Sequence, residues 1–435
     1  MRRAIAWALV GAGLAGAAAC RGGEGGEEAV LDEVAREYVQ LALELGEHDP
    51  DYVDAYYGPE EWREQARRNP SDPARIAERA RELAATASGS AARSRGLLAA
   101  RGRFLSKQLA SLAARAEMLA GAELRFDEES QVLYDATAPH HRADFYQSLV
   151  ARLDAELPGE GPVPERYAAY LRRFEIPKDR LRAVFDAAVR ECRRRTLAHV
   201  TLPEGESFDV EYVQGQPWSA YNWYQGNFRS LIQVNTDLPV TIDRAVDLAC
   251  HEGYPGHHVY NVLLEQRFVR QRGWVEFQIY PLFSPMSLVA EGSANYGIEV
   301  AFPGEERTEF ERDVLFPLAG LDPAEAERFA AVRRLAEALS YAGNEAARDY
   351  LDGKIGREEA VDYLVRYALM PRERAEKRLD FIDKYRSYVI NYNLGKDLVR
   401  GWVERRLRGG SDPGERWRAF VELLTSLRLG SDLAR

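Results

Sequence analysis

The stretch Thr241-Ile242-Asp243-Arg244-Ala245-Val246-Asp247-Leu248-Ala249-Cys250-His251-Glu252-Gly253-Tyr254-Pro255-Gly256-His257-His258 begins as a helix and then breaks it. Apolar residues recur three and four apart from Ile242 to Ala249, and Asp243 sits early, where a helix N-terminus favours negative charge. Pro255 then removes a backbone donor and clashes with the preceding turn, and Gly253 and Gly256 flank it, so the composition predicts a kink or bulge. Three of the seven histidines of the chain fall within this break, beside a glutamate, and this cluster is the strongest chemical signal in the sequence.

A zinc hydrolase needs neutral imidazoles and usually a carboxylate as ligands, an open position for water, and a second carboxylate to take that water's proton. In the His-Glu-x-x-His pattern the two histidines lie four apart, about 40° and 6 Å along one helical face, so both rings reach one ion. Here the fourth position after His251 is Pro255, and His257 and His258 lie roughly 9 and 10.5 Å along a straight helix. A straight helix cannot chelate, whereas a bulge at Pro255 would return His257 or His258 towards His251. Glu252 is then the candidate general base. The third ligand is expected from Ala290-Glu291-Gly292-Ser293-Ala294-Asn295-Tyr296, with Glu291 first and Glu299, about two turns later, as fallback. The same residues could instead cap and line a helix junction, with Glu252 in an ion pair. The metal reading implies one zinc per chain.

Outward from this stretch, residues 31–200 carry helical spacing, as in Val34, Tyr38, Leu41 and Leu45 and again in Leu98, Phe104, Leu109, Leu112 and Leu119. Breaks fall at Gly58-Pro59, Asn69-Pro70, Gly121, Pro158 to Pro164 and Pro177, and no fixed-period repeat is present. Phe208 to Val213 largely alternates and Ser230 to Val234 is β-prone, which predicts a small sheet just before the histidines. Helical patterning then resumes to the C-terminus. The expected fold is mainly α with a minor β element beside the metal helix.

The N-terminus reads as an address. Met1-Arg2-Arg3, an apolar run to Ala15 and Gly16-Ala17-Ala18-Ala19-Cys20 have the shape of a bacterial secretory signal. Its final cysteine resembles a lipobox, with Ala17 where Leu is usual; the alternative is a plain cleaved signal with an incidental cysteine. The apolar run is shorter than the roughly 20 residues a membrane span needs. The expected division is a signal over 1–19, a lipidated Cys20 with a Gly/Glu-rich tether over 20–30, and a catalytic domain over 31–435 with halves 31–200 and 201–435. This would hold the chain by a lipid on the periplasmic or outer face of the bacterial envelope. Cys192 and Cys250 are expected as buried free thiols. With 435 residues and 46% apolar composition a sizeable core is within reach, and a net charge of -11 excludes the basic surface that nucleic-acid binders use.

His251 to His258 and Glu291-Gly292-Ser293-Ala294-Asn295-Tyr296 resemble the bacterial family called domain of unknown function 885, which carries His-Glu-x-x-Pro-Gly-His-His and Glu-Gly-x-Ala-x-Tyr. That family is similar to the mainly helical gluzincin peptidases of the thimet-oligopeptidase and carboxypeptidase kinds. The resemblance implies His251, His257 and Glu291 as metal ligands and Glu252 as general base; matching Gly256-His257 to the gluzincin Gly-His favours His257 over His258. It implies a peptide or amide substrate lying along an edge strand, for which Ile232, Gln233 and Val234 occupy the matching place. Trp218, Tyr221, Trp223 and Tyr224 would wall the cleft or pack the sheet. Tyr392, in Asn391-Tyr392-Asn393-Leu394-Gly395-Lys396, is the expected oxyanion donor, with Tyr296 and Tyr388 as rivals. A binding lipoprotein with a structural metal or none is the non-enzymatic alternative.

Overall fold

A computed structural model describes residues 14–216, 218–237, 239–407 and 412–435. The first helix, α1 (Leu14–His48), takes in the Gly/Glu-rich stretch expected as a tether. The stretch is helical here, and at its C-terminal end Glu27 meets the Arg93 guanidinium at 2.5 Å. Residues 1–13 of the expected signal and the Cys20 side chain lie outside the described residues.

Helix α2 (Pro73–Arg93) starts where proline is tolerated, and the Asp72 carboxylate caps it by accepting from the Arg75 amide at 3.0 Å. It packs on α3 (Gly96–Leu119) at Gly102, where a Cβ would lie 2.8 Å from Ala91 Cβ and 2.9 Å from the Ala87 carbonyl oxygen. Only glycine permits that approach. Helix α4 (Leu181–Leu197) precedes the sheet region.

Strand β1 (Val53–Tyr56) pairs antiparallel with a distant strand introduced below. Strands β2 (Ser207–Val213), β3 (Ala220–Gly226) and β4 (Arg229–Asn235) form a three-stranded sheet in the order β2-β4-β3. β4 runs parallel to β2 and antiparallel to β3. The β3–β4 connection is Asn227-Phe228, both with positive φ (53° and 61°), the twist that two-residue hairpins favour. β5 (Ile279–Pro281) is the partner of β1. The expected edge strand is thereby corrected: Ile232, Gln233 and Val234 belong to β4, which has a neighbour on both sides.

Helix α5 (Ile242–Leu248) runs into a widened π-type turn, Ala249–Gly253, and the chain resumes as α6 (His257–Leu264). Next come α7 (Pro285–Ala301), α8 (Arg372–Tyr385) and α9 (Ile390–Glu404). α7 and α9 cross at glycines, since a Cβ on Gly292 would fall 2.3 Å from the Gly395 carbonyl carbon. This contact sets Glu291 beside the segment carrying Tyr388 and Tyr392.

The structure is 68% helix, about twice the usual share, which bears out the mainly α class. One buried apolar cluster joins Leu31, Leu105 and Tyr134 to Leu288, Val361 and Ile390; the other joins Tyr146 and Phe185 to Val259, Phe329 and Phe420. Each draws on both halves of the chain. Cys192 and Cys250 are buried with sulfurs 2.7 Å apart, linking α4 to the π-type turn. Among the described residues no helix is long and apolar enough to cross a membrane.

Candidate metal centre

The break after α5 brings the histidines together. From Ala249 the hydrogen bonding widens, with the Tyr254 amide donating to the Ala249 carbonyl (3.2 Å) and the Gly256 amide to that of Cys250 (2.9 Å). Tyr254 is extended (φ −115°, ψ 119°) and α6 begins anew at His257. Gly256 is the only residue that fits its place: a Cβ there would sit 1.9 Å from the His251 carbonyl oxygen and 2.4 Å from that of Cys250. Doubling back this tightly places His257 Nε2 3.1 Å from His251 Nε2.

Glu291 arrives from α7 with Oε2 3.3 Å from His251 Nε2 and Oε1 3.8 Å from His257 Nε2. One ligand atom from each of His251, His257 and Glu291 lies within 4.8 Å of the others. Tetrahedral ligands at about 2.0–2.1 Å from zinc stand about 3.3 Å apart, so these spans fit one zinc ion with little adjustment. Two imidazoles and one carboxylate form a donor set that suits a divalent transition metal, zinc among them, and among the described residues Glu291 Oε2 is buried with no hydrogen-bond partner.

Neighbouring side chains orient these groups. Asn295, four residues after Glu291 on the same face of α7, meets His251 Nδ1 through Oδ1 at 3.0 Å, leaving Nε2 directed at the centre. The Asn295 amide nitrogen donates in turn to the Tyr392 carbonyl (3.0 Å). Tyr388 donates its hydroxyl to Glu291 Oε1 (2.8 Å). The Asn222 side chain of β3 holds the Glu252 carbonyl at 2.7 Å. His258 points elsewhere: its Nε2 lies 3.0 Å from Glu206 and its Nδ1 2.9 Å from Ser230. Glu206 also accepts from Tyr254 (2.7 Å) and Arg193 (2.8 Å), so a buried polar group pins both ends of the turn presenting His257.

The charges are strongly coupled. Burial opposes a charge on His251, yet the carboxylates of Glu252 and Glu291 push it up to about 9. Burial takes His257 down to about 4. Burial and then the Glu291 charge lift Glu252 to about 7. Burial alone would raise Glu291, but His251, His257 and Tyr388 hold it below its ordinary value. Burial and mutual charge thus set the ionisation of all four groups together, as at functional sites.

A cavity of about 1560 Å³ opens on this cluster and is lined by His251, Glu252, His257, Glu291, Tyr388 and Tyr392. Among the described residues the Tyr392 hydroxyl has no hydrogen-bond partner, and its ring stands edge-on to Tyr388. Tyr221 also lines the cavity, donating its hydroxyl to Asp54 Oδ1 (3.1 Å) and stacking on Trp218. The other expected substrate contacts are not brought to it. Ile232 and Val234 are fully buried in β4, Gln233 bonds Glu211, and Trp223 lies 48% exposed outside the lining. β4 lies between β2 and β3, whereas β3, an edge, meets the cavity through Ala220, Tyr221 and Asn222. Glu299 is occupied by Arg400 and Lys396, and among the described residues the Tyr296 hydroxyl is buried without a partner. Sequence reasoning missed Asn295, Asn222, Glu206 and Asp54; only Asn295 left a signal, its four-residue spacing from Glu291.

No family model matches the chain, and no curated protein matches it by sequence. Among solved structures, a candidate lipoprotein from Colwellia psychrerythraea shares the fold at TM-score 0.52 and 16% identity, over 83% of this chain and 68% of that one. A candidate lipoprotein of unknown function from Shewanella oneidensis aligns at TM-score 0.47 and 14% identity, over 85% and 74%. Metallocarboxypeptidase 1 of Trypanosoma cruzi aligns at TM-score 0.37 and 13% identity, over 95% and 94%.

Proposed function

We propose that this chain is a zinc-dependent hydrolase of peptide or amide bonds, with His251, His257 and Glu291 as ligands. The observation that carries the reading is the three-residue donor set at one side of a large cavity, with a further buried carboxylate, Glu252, beside it and outside the set. Zinc held by these three residues would supply Lewis acidity and would make a nearby water more acidic. Glu252 would accept a proton from the attacking water as the C–O bond forms and return it to the departing nitrogen as the C–N bond breaks. The Tyr392 hydroxyl donates to the carbonyl oxygen as negative charge gathers there. β3 offers the edge along which an extended peptide would lie.

The test is Glu252→Gln. Its expected result is hydrolysis reduced by about 10²–10⁴ with one zinc still bound; full activity in a zinc-loaded variant refutes the mechanism. An envelope protein that binds without cleaving keeps the same ligands, and it is the surviving reading if zinc-loaded wild type cleaves nothing in a broad peptide and amide panel. We further assign residues 1–19 to a signal, Cys20 to a lipid anchor and 31–435 to the working domain, supported by the small-residue run Gly16 to Ala19 before Cys20. Cys20→Ser should move the protein from the membrane to the soluble envelope fraction; unchanged membrane retention refutes the anchor.

A further inference from the structure

The cavity walls hold cations that differ in one respect. Arg244, Arg307, Arg333 and Lys396 each face a carboxylate within 3.2 Å. Arg374 and Arg378 of α8 also line the cavity, yet neither forms an ion pair or side-chain hydrogen bond among the described residues. They stand four apart, so their guanidinium groups share one helix face, an arrangement of like charges that disfavours the helix. Arg378 is partly buried and stacks on the Phe381 ring at 4.7 Å, which fixes its plane without neutralising it. Burial, and Arg374 beside it, pull its pKa below the ordinary arginine value. Among the described residues Arg172 and Arg416 form no ion pair either, but Arg378 is the one whose field reaches the Tyr392 hydroxyl. There burial and the Glu291 charge raise the phenol, and Arg378 acts in the opposite sense.

A partly buried, planar, unpartnered guanidinium is a poor structural element and a good receptor for a carboxylate, which it grips through two parallel hydrogen bonds. We propose that Arg378, with Arg374 adding charge, binds the terminal carboxylate of a peptide in this cavity and makes the enzyme act at substrate C-termini. The proposal rests on the hydrolase reading for its outcome and on the two arginines for its binding. Arg378 and Tyr392 line the same cavity as the donor set, so cleavage is expected towards the C-terminal end of the bound chain.

The test measures binding apart from cleavage. An N-acetylated amino acid and its amide are titrated calorimetrically into wild type, Arg378→Met and Arg378→Lys, each with zinc and after zinc removal. Wild type is expected to prefer the free acid on the order of ten- to hundredfold, Arg378→Met to lose the preference, and Arg378→Lys to regain part of it. Equal binding of acid and amide by wild type, or an undiminished preference in a folded Arg378→Met, overturns the proposal. So does a preference that vanishes with the zinc, because the carboxylate would then sit on the metal. Peptides ending in a free acid, ending in an amide, or amidated with an aspartate near the end separate a terminal carboxylate from a side-chain one; equal cleavage of the first two overturns the proposal. If discrimination is intact and no peptide is cleaved, the carboxylate site stands and the hydrolase reading falls.

Discussion

Gly256→Ala places the sharpest demand on the candidate centre. The new Cβ would lie 1.9 Å from the His251 carbonyl oxygen, where about 3.4 Å is the ordinary limit, so the turn must open by roughly 1.5 Å. The two imidazole nitrogens now stand 3.1 Å apart against the about 3.3 Å that zinc requires. Adding the full displacement takes the pair to about 4.6 Å, beyond the roughly 4.1 Å that two ligands at about 2.0–2.1 Å from one ion can span. A ligand misplaced on this scale costs on the order of a hundredfold, and overpacking a buried turn costs about 1–3 kcal/mol of stability. The assay is zinc affinity by competition with a chromogenic chelator, with circular dichroism and thermal unfolding to verify the fold. Gly343→Ala is the control, because a Cβ there meets nothing within 4 Å; it should bind zinc as wild type does and be no less stable. A folded Gly256→Ala protein with wild-type zinc affinity would refute the account of the turn.

Metal content of His257→Ala should fall from one zinc per chain to trace, whereas His258→Ala should retain its zinc and lose about 1–3 kcal/mol of stability, because Glu206 loses a buried partner; the reverse pattern refutes the ligand assignment. Asp54 is lifted from about 4 to about 7, first by burial, against its Tyr221 hydrogen bond. Its folded form therefore keeps a proton that the unfolded chain releases. Stability of the zinc-stripped protein should fall as pH rises from 4 to 7, by at most about 4 kcal/mol less solvent screening. Asp54→Asn should flatten this limb in urea titrations, and an unchanged slope refutes it. Oxidation by a dithiol-exchanging disulfide should join Cys192 to Cys250, whose sulfurs lie 2.7 Å apart, seen as a mass lower by two hydrogens and loss of alkylation after unfolding; two freely alkylated thiols refute it.

The helical class was legible because spacings such as Val34, Tyr38, Leu41 and Leu45 repeat locally, within the reach of one helix. The break at Pro255 was legible for the same reason, since a proline acts on its own turn. Sheet order was not. Alternation identifies Ser230 to Val234 as a strand, but whether it lies at an edge depends on β2, which joins from the other side in parallel. The contact of Glu27 with Arg93, 66 residues away, was not legible either, because glycine and glutamate content says nothing of it. The groups that orient the candidate ligands were hidden by the same distance. Tyr388 reaches Glu291 across 97 residues and Asn222 reaches the Glu252 carbonyl across 30, contacts that no periodic pattern encodes.

In His-Glu-x-x-His enzymes the separation of the two imidazoles is inherited from helix pitch, a constant that no single substitution can alter. Here it is inherited from a backbone-to-backbone contact at Gly256, which makes it an adjustable local quantity. The outer faces of α5 and α6 can therefore be recoded for solubility or thermal tolerance without touching the bite angle offered to the ion. Residues 250–256, conversely, are where an engineer would widen that bite for a larger cation, trading one chelate geometry for another while the surrounding scaffold is left alone.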